Sequence, residues 1–184
     1  MNDFDSWGWQ ASWVQGIDPG GPASPSGEPG DVGRNVKLRL ASRIAYVDLV
    51  HEVAESLARE AHFPKPEALN IGLAVREAVI NAMKHGNGLD AGKMVDVEFR
   101  SNARTFRVLV KDQGLGFDGT GISDPCEEQN VRRTSGRGIL FMRHFVDRVA
   151  FQSRRGKGTV VVLEKRLNHG GRNGRSAATT GRRR

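Results

Sequence analysis

Glu77-Ala78-Val79-Ile80-Asn81-Ala82-Met83-Lys84-His85-Gly86-Asn87-Gly88 is the stretch on which the reading of this chain turns. Glu77 and Asn81 stand four residues apart, so on a helix they project from the same face, one turn above the other. They sit among Ile71, Leu73, Val75, Val79 and Ile80. A carboxylate and a carboxamide in such company are costly to bury without partners. A hydrated magnesium ion is one such partner: it prefers hard oxygen ligands and keeps several waters, so one amide oxygen plus nucleotide phosphates can hold it. Glu77 is then left as a base. On this pair alone, a polar stripe facing water accounts for the pattern equally well.

Outward from this segment the chain divides readily. Pro66 and Glu67 open the helix that carries Glu77, and Gly86 and Gly88 close it near His85. Before it, Val47, Val50, Val53, Ala54, Leu57 and Ala61 recur at helical spacing between charged residues, which predicts an amphipathic helix over 42–61. Earlier still, Val36, Leu38 and Leu40 alternate with Lys37 and Arg39 as in a half-buried strand. Beyond Gly88, residues 94–100 and 105–111 read as a hairpin turning through 101–104. Residues 113–138 are glycine-rich, include Pro125, and are too long for an idle connection, which suggests a functional loop or lid. A third helix over 138–149 and two strands, 150–153 and 159–166, complete the order. Helices on one face of a mixed, mostly antiparallel sheet make a two-layer α/β (α+β) sandwich.

The 184 residues fit one domain, expected over 35–167, with tails on either side. Residues 1–34, rich in Gly, Pro, Ser and Asp, lack a sustained period, and we expect a disordered leader carrying Trp7, Trp9 and Trp13. Residues 168–184 are expected to be a disordered arginine-rich tail. Its Arg172, Arg175, Arg182, Arg183 and Arg184 supply five of the seven net positive charges, with no aromatic residue interleaved for base stacking. That disfavours nucleic acid as a partner. The single cysteine, Cys126, cannot form an internal disulfide. No apolar run approaches the roughly 20 residues of a membrane helix, and the start lacks the features of a signal peptide, so a cytoplasmic location is expected.

Three further segments carry chemistry. Asp112-Gln113-Gly114-Leu115-Gly116-Phe117 follows a strand: a carboxylate there can accept a hydrogen bond from the adenine amino group, and Gly114 and Gly116 let backbone approach a flat ring. Taken alone, the same glycines serve ordinary turns. Ser135-Gly136-Arg137-Gly138 opens a helix whose free amides favour phosphate, with Arg133 and Arg137 able to add charge there. Gly156-Lys157-Gly158-Thr159 is a tight turn with a hydroxyl behind it. It is not a Walker loop, because the upstream glycine is missing and Gly158 stands where Ser or Thr is required.

In this order the four segments resemble the N box, G1 box, G2 box and closing GxGT of the GHKL ATPase superfamily, over roughly residues 36–167. The wording of Glu77 to Asn87 and of Gly136 to Val149 is similar to the anti-sigma regulatory factors, serine kinases of the RsbW and SpoIIAB type. The resemblance implies the Bergerat ATP-binding fold, ATP with magnesium, frequent homodimers, and two partners: a sigma factor and an anti-anti-sigma STAS protein. It makes Asn81 the magnesium ligand, Glu77 the catalytic base, Asp112 the adenine reader and Thr159 a helper at the base. Gly114, Gly116, Gly136 and Gly138 become backbone contacts, and His85, Arg133 and Arg137 lie within reach of phosphates. Two other readings compete. One is an ATP-dependent switch that sequesters a regulator without phosphorylating it. The other, a sensor histidine kinase fragment, is weakened because His51 lies inside the domain and lacks the usual following proline.

Overall fold

The computed structural model describes residues 34–116 and 137–167. The leader up to residue 33, most of the glycine-rich loop with Pro125, Cys126, Arg133 and Gly136, and the tail from residue 168 lie outside the described residues. Five strands form one sheet: β1 (Arg34–Ala41), β2 (Met94–Ser101), β3 (Thr105–Lys111), β4 (Arg148–Arg154) and β5 (Gly158–Arg166). They lie in the order β1-β2-β3-β5-β4, and each neighbouring pair is antiparallel. The sheet expected to be mixed is therefore antiparallel throughout its described pairings. Its first strand also starts at Arg34, inside the span assigned to the leader.

Pleating sends alternate residues to opposite faces. On one face Val36, Leu38, Val97, Phe99, Phe106, Val108, Val110, Val161 and Leu163 join a single core with three helices. These are α1 (Val47–Glu60), α2 (Lys65–Asn81) and α3 (Arg137–Phe145). Helix α2 runs between the other two and is buried on most of its circumference by Ala68, Ile71, Gly72, Ala74, Val75, Ala78 and Val79. Its small residues permit close approach: a Cβ on Gly72 would meet His51 Nδ1 at 2.9 Å and the His51 carbonyl oxygen at 3.2 Å. His51 is thus tucked into the α1/α2 seam and half-buried.

Three element boundaries differ from the sequence expectation, each for a local reason. Residues 44–46 form a 3-10 turn, so α1 starts later than expected, at Val47. Helix α2 gives way after Asn81 to a π-helical turn, Ala82–Gly86, closed by hydrogen bonds from Asn87 N to Ala82 O (2.8 Å) and Leu89 N to Met83 O (2.7 Å). Helix α3 stops at Phe145 instead of running to residue 149. The amide of Asp147 donates to Glu164 O at 3.0 Å, while its carboxylate accepts from Arg166 N at 2.7 Å and Lys165 Nζ at 3.0 Å. The adjoining strand thus captures the chain, and β4 begins at Arg148.

Candidate active site

The carboxylate of Asp112 stands at the end of β3 and is 4% exposed. Its Oδ1 accepts hydrogen bonds from Gly114 N (2.8 Å) and Thr159 N (3.0 Å), and its own amide donates to Thr159 O at 3.0 Å. Burial pushes this carboxyl above its ordinary value, and the two backbone donors and the charge of Lys93 counteract the push without cancelling it. An acid held this dry, with one oxygen engaged by the chain, is arranged to receive a polar hydrogen from outside.

Glycines enclose that carboxylate because chain segments cross there. A Cβ on Gly86 would collide with the Asp112 side chain, one on Gly114 with the Gly86 backbone, and one on Gly158 with the Asp112 carbonyl. Gly116 and Gly158 also have φ of +62° and +88°, a region costly for other residues. The π turn, the start of the glycine-rich loop and the β4–β5 turn therefore close on one acid. The β4–β5 turn is tied down further by Gly156 N donating to Leu115 O at 2.6 Å.

Glu77 and Asn81 lie on α2, both half-buried. The first turn of α3 comes directly against them: a Cβ on Gly138 would meet Glu77 Oε2 at 3.0 Å, Asn81 Nδ2 at 3.4 Å and Asn81 Oδ1 at 3.8 Å. Glycine at 138 thus lets a helix start approach an acid and an amide that a side chain would crowd. Arg76 Nη1 lies 3.7 Å from Glu77 Oε1 and Arg76 Nε 3.4 Å from Asp48 Oδ1. His85 is exposed on the π turn, between the two clusters along the chain.

Of the residues singled out from sequence, the structure gathers Asp112, Gly114, Gly116 and Thr159 at one centre and Glu77, Asn81 and Gly138 at another. Thr159 serves through its backbone, bonded both ways to Asp112, while its hydroxyl lies 3.1 Å from Ser153 Oγ. Arg133 and Gly136 fall outside the described residues, as does the side chain of Arg137. Sequence reasoning missed Asn87. It is 2% exposed, donates from Nδ2 to Met94 O (3.0 Å) and accepts at Oδ1 from Gln113 N (2.7 Å), clamping the π turn to the strand end that carries Asp112. The signal was an asparagine between Gly86 and Gly88, the two glycines read as the helix stop.

The residues fit a nucleotide with its metal in kind. Among the described residues no cluster of three or more His, Cys, Asp or Glu could hold a metal ion. An ion here would rely on a single amide oxygen, with phosphates and water completing its shell, which suits magnesium.

Residues 40–165 match the family described as "Histidine kinase-like ATPase domain". An anti-sigma F factor of Clostridium acetobutylicum is 30% identical over 136 residues, covering 72% of this chain and 93% of that protein. One from Clostridium perfringens strain SM101 is 31% identical over 106 residues, covering 55% and 74%. The serine-protein kinase RsbW of Bacillus subtilis is 24% identical over 139 residues, covering 72% and 86%. Among solved structures, a histidine kinase domain from Erythrobacter litoralis overlays with a TM-score of 0.42 at 20% identity, and the match spans 66% of this chain and 59% of that one.

Proposed function

Because this chain belongs to the histidine kinase-like ATPase family, we propose that it is an ATP-dependent anti-sigma factor and serine/threonine protein kinase. Its substrate would be an anti-anti-sigma STAS protein and its other partner a sigma factor, with the chain acting as a cytoplasmic homodimer. The approach of Gly138 to Glu77 and Asn81 carries the reading, because it sets a helix start, an acid and an amide around one point.

Asp112 Oδ2, the carboxylate oxygen that takes neither backbone donor, accepts from the amino group of adenine. A guanine carbonyl there would repel it. Asn81 Oδ1 would hold magnesium, which when bound neutralises phosphate charge. The backbone amides at the α3 start, with Gly138 among them, face the phosphates, where helix N-termini favour negative charge. His85, Arg133, Gly136 and Arg137 are assigned to the same phosphate end. Glu77 takes the proton from the partner's serine hydroxyl as the γ-phosphoryl is transferred in line.

A switch that sequesters without phosphate transfer is the second reading. The Arg76 guanidinium near Glu77 Oε1 favours it, since that oxygen then faces a cation rather than a hydroxyl. Glu77→Gln separates the two. We expect unchanged ATP affinity by calorimetry and loss of label transfer from radioactive ATP to the STAS partner. Equal transfer by both proteins would eliminate Glu77 as the base.

A further inference from the structure

Past its last paired residues, Asp96 and Lys111, the β2–β3 ladder is continued by a side chain. Two residues beyond that pair, the same register would set Met94 opposite Gln113. Asn87 stands between them instead: its Nδ2 donates to Met94 O at 3.0 Å and its Oδ1 accepts from Gln113 N at 2.7 Å. A side-chain amide carries an N–H donor and a carbonyl acceptor, as a peptide does, so it can serve both strands at once. The Gln113 side chain answers the remaining backbone group, its Oε1 accepting from Met94 N at 2.8 Å. β2 and β3 are thereby held one amide apart at the point where β3 ends in Asp112.

The backbone around Asn87 has an unusual course. Before it lies the π turn Ala82–Gly86, a form that occurs mostly as single turns at functional sites. After it come Gly88 and Leu89, with φ of +65° and +59°. The left-handed region is disfavoured for leucine, and such residues persist where their surroundings fix them. Asn87 N to Ala82 O (2.8 Å) and Leu89 N to Met83 O (2.7 Å) hold the curvature of the segment. The Asn87 side chain, 2% exposed and so shielded from competing water, ties it to both strands.

What this segment borders is the adenine-reading carboxylate. Gly86, next to Asn87, lies against Asp112, and a Cβ there would collide with Asp112 Oδ2. The other oxygen, Oδ1, is engaged by Gly114 N and Thr159 N. Lys93, next to Met94, is the cation whose charge acts on Asp112. Through its two bonds Asn87 therefore sets three neighbours of one acid: Gly86 on the π turn, Lys93 before β2 and Gln113 after Asp112 itself. We propose that Asn87 is a positioning residue for base selection, its amide wedged between β2 and β3 so that Gly86 and Asp112 Oδ2 hold the geometry that prefers a 6-amino purine. This role presupposes the adenine contact proposed for Asp112. It also has a definite chemical requirement, a donor toward Met94 O and an acceptor toward Gln113 N, which aspartate meets by half and alanine not at all.

Two ligands separate positioning from general support of the fold: ATP, and purine riboside triphosphate, which differs from ATP only in lacking the 6-amino group. Calorimetry with magnesium on the full chain should show ATP bound roughly ten- to a hundredfold more tightly, the span for a hydrogen bond to a charged group. In Asn87→Ala that preference should shrink by about tenfold through weaker ATP binding, with affinity for the analogue nearly unchanged. Should the alanine variant fail to fold, Asn87→Asp keeps the acceptor for Gln113 N, sets a carboxylate oxygen against Met94 O, and should give the same shrinkage. Equal weakening of both ligands would make Asn87 a support of the fold only and overturn the proposal, as would an undiminished preference in a folded variant. An intact protein that does not distinguish the two ligands would instead remove the adenine contact of Asp112, and the role of Asn87 with it.

Discussion

Glu98 on the outer sheet face and Asp112 at the end of β3 are both buried carboxylates, yet their surroundings drive them in opposite directions. Burial raises each. At Glu98 it is outweighed by the hydrogen bond and charge of Arg100, the amide of Asn35 and the charge of Lys37, so its pKa is lowered. At Asp112 the opposing groups are mainly backbone amides, which do not cancel the cost of burial, and its pKa is raised. Side-chain cations and an amide answer Glu98, whereas backbone amides and the charge of Lys93 answer Asp112, the carboxylate proposed to meet adenine.

The largest expected effect tests the Asp112 side of that contrast. Asp112→Asn keeps an acceptor for Gly114 and Thr159 but turns an N–H donor toward the adenine amino group. ATP affinity should fall about a hundredfold, ~2–3 kcal/mol, the range for a charged hydrogen bond replaced by a clash of donors. Calorimetry measures this directly, and wild-type affinity in the variant would place the purine elsewhere.

Glu98→Gln tests the other side. Removing the charge between Arg100 and Lys37 should lower stability by roughly 1–2 kcal/mol, less than a fully buried pair would lose because both cations reach solvent. The midpoint of urea unfolding reads it. ATP affinity should stay unchanged, and a matching loss of affinity would show that the two regions are not independent.

The smallest effect is a difference in acid response. The lowered pKa of Glu98 contributes stability that is present above its ordinary value of 4.5 and lost as pH falls through the folded value. Asp147, lowered despite partial burial by Arg166 N and Lys165, acts in the same sense from 3.8. Asp112 acts oppositely: the stability linked to its raised pKa is fully present below 3.8 and lost as pH rises through the folded value. Acid unfolding should therefore be shallower for Glu98→Gln and steeper for Asp112→Asn than for the intact protein. Identical slopes in all three would remove the contrast.

Much of the fold was legible because its signals are local. Alternation marked β1, the β2–β3 hairpin turned where Asn102 Oδ1 accepts from Arg104 N and Thr105 N, and Pro66 marked the start of α2. The end of α3 was not legible. Residues 146–149 continue a helical pattern, and only the hydrogen bonds of Asp147 to β5, a strand that follows later in the chain, decide otherwise. Asn87 was missed for a similar reason, since its two bonds reach Met94 and Gln113.

The sequence by itself determined which residues are candidates for chemistry: Glu77 and Asn81 at helical spacing, the acid before two glycines, and the glycines at 136, 138, 156 and 158. Periodicity and residue type act within one element, so they can be read without a fold. The tertiary structure alone decided what Gly86, Gly114, Gly138 and Gly158 are for. Gly86 and Gly158 lie against Asp112, Gly114 against the Gly86 backbone and Gly138 against Glu77, because segments far apart in the chain pass within contact distance there, and a Cβ would occupy the same space.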